Sequence, residues 1–195
     1  MIHEFKEIIK QAVINQQKGL KNVLATVVFL EGSSYRKPGV RMLISEDLSS
    51  VGAVSGGCVE KEIIHRATTV FRDNKPKVIT YDGRYKLGCE GILYVLIEPF
   101  FVTAQLISAF SKANSKRESL QLTSYFKKEN EVFGEFGTSV TFENRQQFAF
   151  TETVITKSDV AVYNQVLQPA FKLIIIGGEH DAVKLCKIAA TLGWE

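Results

Sequence analysis

A chain of 195 residues with 45% hydrophobic and 23% charged side chains has the composition of an ordinary folded domain, which excludes a disordered tail, a fibrous repeat and a disulfide-framework miniprotein. The length suffices for one well-buried domain, with or without a fragment of another, and is too short for two full-sized enzymatic domains. The net charge of +3 is too small to point to nucleic acid.

The excess charge lies in residues 1–100, with 14 basic and 11 acidic side chains, while residues 101–195 balance at 10 and 10. No run approaches the roughly 20 apolar residues of a membrane span, and Met1 to Glu7 lacks the layout of a signal peptide. The sequence therefore predicts a cytoplasmic protein without membrane association. Cys58, Cys89 and Cys186 are not in a C-x-x-C arrangement and are read as free thiols in a reducing compartment.

Ile2, Phe5, Ile8, Ile9, Ala12 and Val13 recur at helical spacing, and Gly19 stands where a left-handed cap would close the helix. Residues 23–30 are a β-branched apolar run, which predicts a buried strand. A polar loop from Glu31 to Val40 leads to short strands at 42–44 and 51–54, joined by the turn Asp47-Leu48-Ser49-Ser50. Ser55-Gly56-Gly57 ends the second of these strands. Val59, Ile63, Ala67, Val70 and Phe71 then carry a helical stripe to about Asn74, and Pro76 forbids its continuation.

Residues 77–81 and 92–97 predict two further strands around the loop Asp82 to Gly91. Residues 103–113 predict a helix, and 120–154 antiparallel strands. Lys172 to Ile176 is an apolar strand running into Gly177-Gly178, and Ala182, Leu185, Ile188, Ala189 and Leu192 form a stripe on a last helix. This is the opening βα of a doubly wound sheet, and the chain stops where its second strand would begin. The expectation is an α/β protein: a mixed α/β domain at 1–100, a connecting α+β segment at 101–167, and an incomplete Rossmann-like βα unit at 168–195.

The strongest local signal is Ser55-Gly56-Gly57-Cys58-Val59-Glu60. Backbone N–H groups at a helix start attract anions, and the same partial charge favours a thiolate, so phosphate binding and a reactive sulfur both fit. A tight turn with a small buried cysteine is the competing reading. Gly88-Cys89-Glu90-Gly91 is a second cysteine between glycines; two such loops in one pocket suit a soft metal or a sulfur-bearing ligand. No protein-held metal site is expected, because His65 lies about two turns from Cys58 and further ligands are missing. Between Gly32 and Arg41, Ser33, Ser34, Arg36 and Arg41 offer hydroxyls and guanidinium forks to an anion; a solvated basic turn is the bland alternative. Gly177-Gly178-Glu179-His180-Asp181-Ala182 occupies the place of a dinucleotide fingerprint, but Glu179 replaces the middle glycine and would face a pyrophosphate. Cys186 is read as structural.

Ala25-Thr26-Val27-Val28, Glu31-Gly32-Ser33-Ser34, Pro38-Gly39, Arg41-Met42-Leu43, Gly52, Ser55 to Glu60, Tyr81-Asp82, Gly88 to Gly91 and Ile97-Glu98-Pro99, in that order and spacing, resemble the XdhC/CoxI family. Its members are accessory factors for xanthine dehydrogenase and related molybdenum hydroxylases, with an N-terminal XdhC/CoxI domain and a C-terminal Rossmann domain. The resemblance covers roughly residues 1–100 and again 168–195. Tyr35 and Glu90 depart from it at loop tips, and Gly178 and Glu179 depart at the fingerprint.

The resemblance implies a non-catalytic chaperone that binds molybdenum cofactor as transient cargo, protects its sulfurated form and delivers it to an apo molybdenum hydroxylase of xanthine dehydrogenase type. A cysteine desulfurase is kept as a further partner, and a homodimer is expected because the open strand edge of the terminal βα unit seeks pairing. Ser33, Ser34, Arg36, Arg41, Ser55, Gly56, Gly57, Cys58, Glu60, Gly88, Cys89, Gly177 and Gly178 form the candidate cofactor-binding set. Within it, Arg36 and Arg41 are phosphate partners and Cys58 or Cys89 a transient thiolate contact. The alternatives are a small NAD(P)-binding oxidoreductase, disfavoured by the irregular fingerprint, and a cysteine-based redox or interaction protein.

Overall fold

The computed structural model describes residues 2–34, 37–55, 57–85, 91–152 and 159–195. The first helix, α1 (Ile2–Gln17), presents Ile2, Phe5, Ile8, Ile9 and Ala12 to the core, and Gly19 at φ 76° turns the chain out of it. It is followed by β1 (Asn22–Glu31), β2 (Arg41–Ser45) and β3 (Ser50–Gly52). Next come α2 (Cys58–Asp73), β4 (Lys77–Asp82), a 3-10 turn at Gly83–Tyr85 and β5 (Ile92–Pro99). These match the elements expected over residues 1–100, except that β3 ends two residues early, at Gly52.

One antiparallel sheet carries the strands in the order β3-β2-β1-β5-β4 and is extended by β7 (Val132–Phe133) at the far edge. β1 is its axis, paired with β2 from Asn22↔Ser45 to Thr26↔Arg41 and with β5 from Val23↔Pro99 to Glu31↔Ile92. Alternation along β1 sends Val23, Ala25 and Val27 to the face covered by Val59, Ile63, Ala67 and Val70 of α2. Leu24 faces the opposite layer. The unbroken apolar run therefore marks burial on both faces, here in an antiparallel sheet rather than a parallel one.

The opposite layer combines α1, α3 (Ala104–Ser115) and a second antiparallel sheet. That sheet is ordered β10-β6-β8-β9, from β6 (Leu120–Phe126), β8 (Gly137–Thr141), β9 (Gln147–Ala149) and β10 (Ala161–Leu167). Phe5, Phe100, Phe110 and Phe150 meet at the centre, with Phe100 and Phe150 edge to face at 4.9 Å between ring centroids. This core takes side chains from both sides of residue 100. β10 was not anticipated from the sequence, because its Val-Tyr-Asn-Gln-Val interior alternates only weakly.

The last helix is α4 (His180–Thr191). Residues 172–176, expected to form a strand, are irregular among the described residues, with Ile174 72% and Ile176 97% exposed. A strand needs a ladder partner, and among the described residues one parallel bridge forms: Glu195 N–H donates to the Phe171 carbonyl at 2.8 Å, and Leu173 N–H to the Glu195 carbonyl at 2.7 Å. Cys186, read as structural, is exposed on α4, because Ala189 is the residue of this helix that is buried.

The two layers meet over a buried polar pair. Glu98 is fully buried and accepts from Thr138 N–H at 2.8 Å and from Thr138 Oγ1 at 2.6 Å. Burial pushes its carboxyl from 4.5 up to about 7, against these hydrogen bonds and the nearby Arg41. A carboxyl raised in the folded state stabilises fully below its unfolded value and loses that contribution as pH rises through the folded value. Urea titrations should show stability falling between about pH 4.5 and 7, and Glu98→Gln should flatten that slope; an unchanged slope would place the titration elsewhere.

Candidate functional site

Three connections reach the same end of the first sheet. Glu31 of β1 pairs with Ile92 of β5, and Asp82 of β4 pairs with that same residue. Met42 at the start of β2 pairs with Gly52 at the end of β3. The loop after β1, the turn into α2 and the β4–β5 connection therefore start from the same end of the sheet. Backbone contact joins two of them: a Cβ at Gly91 would lie 2.5 Å from the Ser33 carbonyl oxygen, so only glycine fits without displacing the Ser33 loop. Gly83 N–H also donates to the Gly91 carbonyl at 3.0 Å.

The turn into α2 is organised by Glu60. Its carboxylate accepts from the N–H groups of Val54 at 3.1 Å, Ser55 at 2.6 Å and Gly57 at 2.6 Å, and from Ser55 Oγ at 3.0 Å. Burial acts upward on its pKa, but the hydrogen bonds from Ser55, its own backbone and Gly57 outweigh it, so the carboxyl sits below its ordinary value. Gly57 adopts φ 128°, a backbone open to glycine. The N–H groups read as an anion cradle thus already hold an anion, the chain's own. That carboxylate also offsets the positive end of α2.

On the neighbouring strands, Tyr94 Oη donates to Glu31 Oε1 at 3.0 Å, and burial followed by that carboxylate raises the phenol's pKa. Arg84, more than half exposed, is oriented by two contacts to Asp82, Nε to Oδ1 at 2.9 Å and Nη2 to Oδ2 at 2.6 Å. Neither Arg84 nor Tyr94 was among the expected site residues. The Asp82-Gly83-Arg84 turn beside the second cysteine loop was the available signal for Arg84.

Arg41 departs from its expected role as a phosphate partner. Strand alternation places it on the same face as Leu43, against the second sheet, where it is 8% exposed. Its Nη1 donates to the Gly39 carbonyl at 2.8 Å and to Gln165 Oε1 at 2.5 Å. Burial lowers its pKa to about 10, so it stays charged at neutral pH. Arg41 thus pins the Pro38-Gly39 turn to β10 through Nη1, while its Nε and Nη2 are buried without a hydrogen-bond partner among the described residues.

Ser33 is exposed and Ser34 half-buried in the loop after β1, and Ser55, Gly57 and Glu60 share the turn at α2. Arg36, Gly56, Gly88, Cys89 and the Cys58 side chain lie outside the described residues, although Cys58 is the first residue of α2. Gly177 and Gly178 stand on the terminal segment, with open space around both. That segment is anchored by Glu195 to Lys6 and Arg117. Among the described residues, no cluster of three His, Cys, Asp or Glu side chains is placed to hold a metal, and no helix is long and apolar enough to cross a membrane.

Residues 16–82 match the model of the XdhC and CoxI family. A Bacillus subtilis protein named as a probable component of xanthine dehydrogenase is 27% identical over 190 residues, covering 88% of this chain and 57% of that protein. The molybdenum cofactor insertion chaperone PaoD of Escherichia coli is 32% identical over 78 residues, covering 40% of this chain and 24% of that protein. A crystal structure described as a xanthine dehydrogenase from Bacillus halodurans aligns with a TM-score of 0.70 at 23% identity, over 96% of this chain and 60% of that one, which shows the shared fold. The chain thus spans between a quarter and somewhat over half of the curated relatives it matches.

Removing the Glu60 carboxylate strands the N–H groups of Val54, Ser55 and Gly57. Glu60→Ala should cost about 1–2 kcal/mol in urea unfolding at neutral pH, a difference that narrows as pH falls through the carboxyl's range. Equal stability of the two proteins at pH 7 would show that the turn is held by other contacts.

Proposed function

We propose, for a chain whose residues 16–82 carry the XdhC and CoxI family segment, a role in molybdenum cofactor maturation: it binds the cofactor as transient cargo and passes it to an apo molybdenum hydroxylase of xanthine dehydrogenase type. The observation that carries this reading is that the matched segment contains the β1–β2 loop and the α2 turn, which the antiparallel register brings to one end of the sheet. The name of the Escherichia coli relative supports the cargo, and that of the Bacillus subtilis relative supports the receiving enzyme.

The chemistry divides along the site. Cys58 at the first position of α2, together with Cys89 of the β4–β5 connection, offers thiolate to the metal end of the cargo. Glu60 fixes the backbone before Cys58 and fills the helix-end cradle, which leaves the cargo's phosphate to Ser33, Ser34 and Arg36, with Arg84 at the rim. Arg41 contributes by holding the loop that carries these groups. Gly177 and Gly178 serve the cargo only if the terminal segment folds back over this end. A cysteine desulfurase remains a proposed sulfur source, a homodimer the proposed assembly and the cytoplasm the proposed compartment.

Equilibrium dialysis against molybdenum cofactor should leave about one pterin retained per chain, and Cys58→Ala should reduce retention at least about tenfold, the scale of losing one good ligand contact. Absence of retained pterin, or full retention by the alanine variant, would refute the cargo role or the part given to Cys58, respectively.

A further inference from the structure

β10 is the outer strand of the second sheet. Its pairing with β6 runs without a shift from Ala161↔Phe126 to Leu167↔Leu120, so seven residues of straight edge are available. Natural sheets protect such edges with a charge, a proline, a bulge or a covering element. Ala161-Val162-Tyr163-Asn164-Gln165-Val166-Leu167 has no charge and no proline, and no bulge interrupts its ladder. Among the described residues, no backbone group pairs with its outer side. Val162 and Val166 are 50% and 53% exposed. Beside Gln165 to Leu167 runs a groove of about 400 Å³, with Ile2, His3, Leu192 and Trp194 on its far side.

We infer that β10 pairs antiparallel with β10 of a second copy of this chain, about a twofold axis at Asn164, joining two four-stranded sheets into one of eight strands. The inference rests on the homodimer proposed above and moves its interface from the terminal βα unit to the second sheet. Neutrality selects the occupant. An uncharged strand meets its own copy without repulsion, as a self-complementary twofold contact demands, and offers a strongly charged partner nothing to pair with. In this register Ala161 of one copy lies beside Leu167 of the other, so the incoming strand enters the groove. Val162 and Val166 stand opposite one another at two symmetric positions.

The register makes the test specific. The V162K/V166K double variant sets like charges opposite each other at both positions, whereas V162K/V166E sets opposite charges in the same places. Light scattering at micromolar concentration should give twice 21.8 kDa for the unaltered chain and for V162K/V166E. V162K/V166K should fall to the monomer mass with an unchanged far-ultraviolet circular dichroism spectrum. A monomeric unaltered chain, which would leave the edge to a partner of another sequence, overturns the inference; so does a dimeric V162K/V166K, or two monomeric double variants. Because the readout involves no cofactor, its failure is separate from failure of cargo binding.

Discussion

The burial of β1 on both faces is the constraint from which the rest of the molecule follows. Its ten residues lie between two antiparallel neighbours, with α2 on one side and α1, α3 and the second sheet on the other. Because each neighbour runs opposite to β1, connections alternate between the two ends of the sheet. The loop after β1, the α2 turn and the β4–β5 connection reach one end. The β2–β3 turn reaches the other, where Glu46 N–H meets the Lys21 carbonyl. A single hydrophobic decision along residues 22–31 therefore supports the core and sends the three connections to one end of the sheet.

Two carboxylates show how the fold handles charge around this axis. Glu60 stays partly solvated and is met by backbone N–H groups, which keep it ionised and fix the turn ahead of Cys58. Glu98 lies between the layers, where loss of water outweighs the bonds from Thr138 and the field of Arg41. The first organises the turn into α2 and the second makes the contact between layers sensitive to pH. Arg41 links the two regions, because the guanidinium near Glu98 also holds the Gly39 carbonyl of the site loop.

Much of this was legible in sequence where burial imposes a period. The apolar run at 23–30, the stripe Val59 to Phe71 and the cap at Gly19 each announce an element whose stability is local to its pattern. The XdhC and CoxI likeness was legible in the spacing of Gly32 to Ser34, Ser55 to Glu60 and Gly88 to Gly91. What could not be read depends on partners distant in sequence. Residues 172–176 look like a strand, yet among the described residues they acquire the bridge to Glu195 and no ladder. Arg41 looks like a loop cation, but its register with Thr26 turns it inward, and β10 is defined by pairing with β6. Glu60 was in reach, since a glutamate three residues after a helix cap is a capping signal. The attraction of the cradle for external anions concealed it.

Hydrogen exchange of the chain with and without molybdenum cofactor tests the central claim most directly. Binding at the gathered end should slow exchange at residues 32–40, 53–60 and 83–91 together, with the α1–β1 turn and β10 unchanged. Protection confined to residues 171–180, or no protection at any of the three connections, would contradict a cargo site at this end of the sheet.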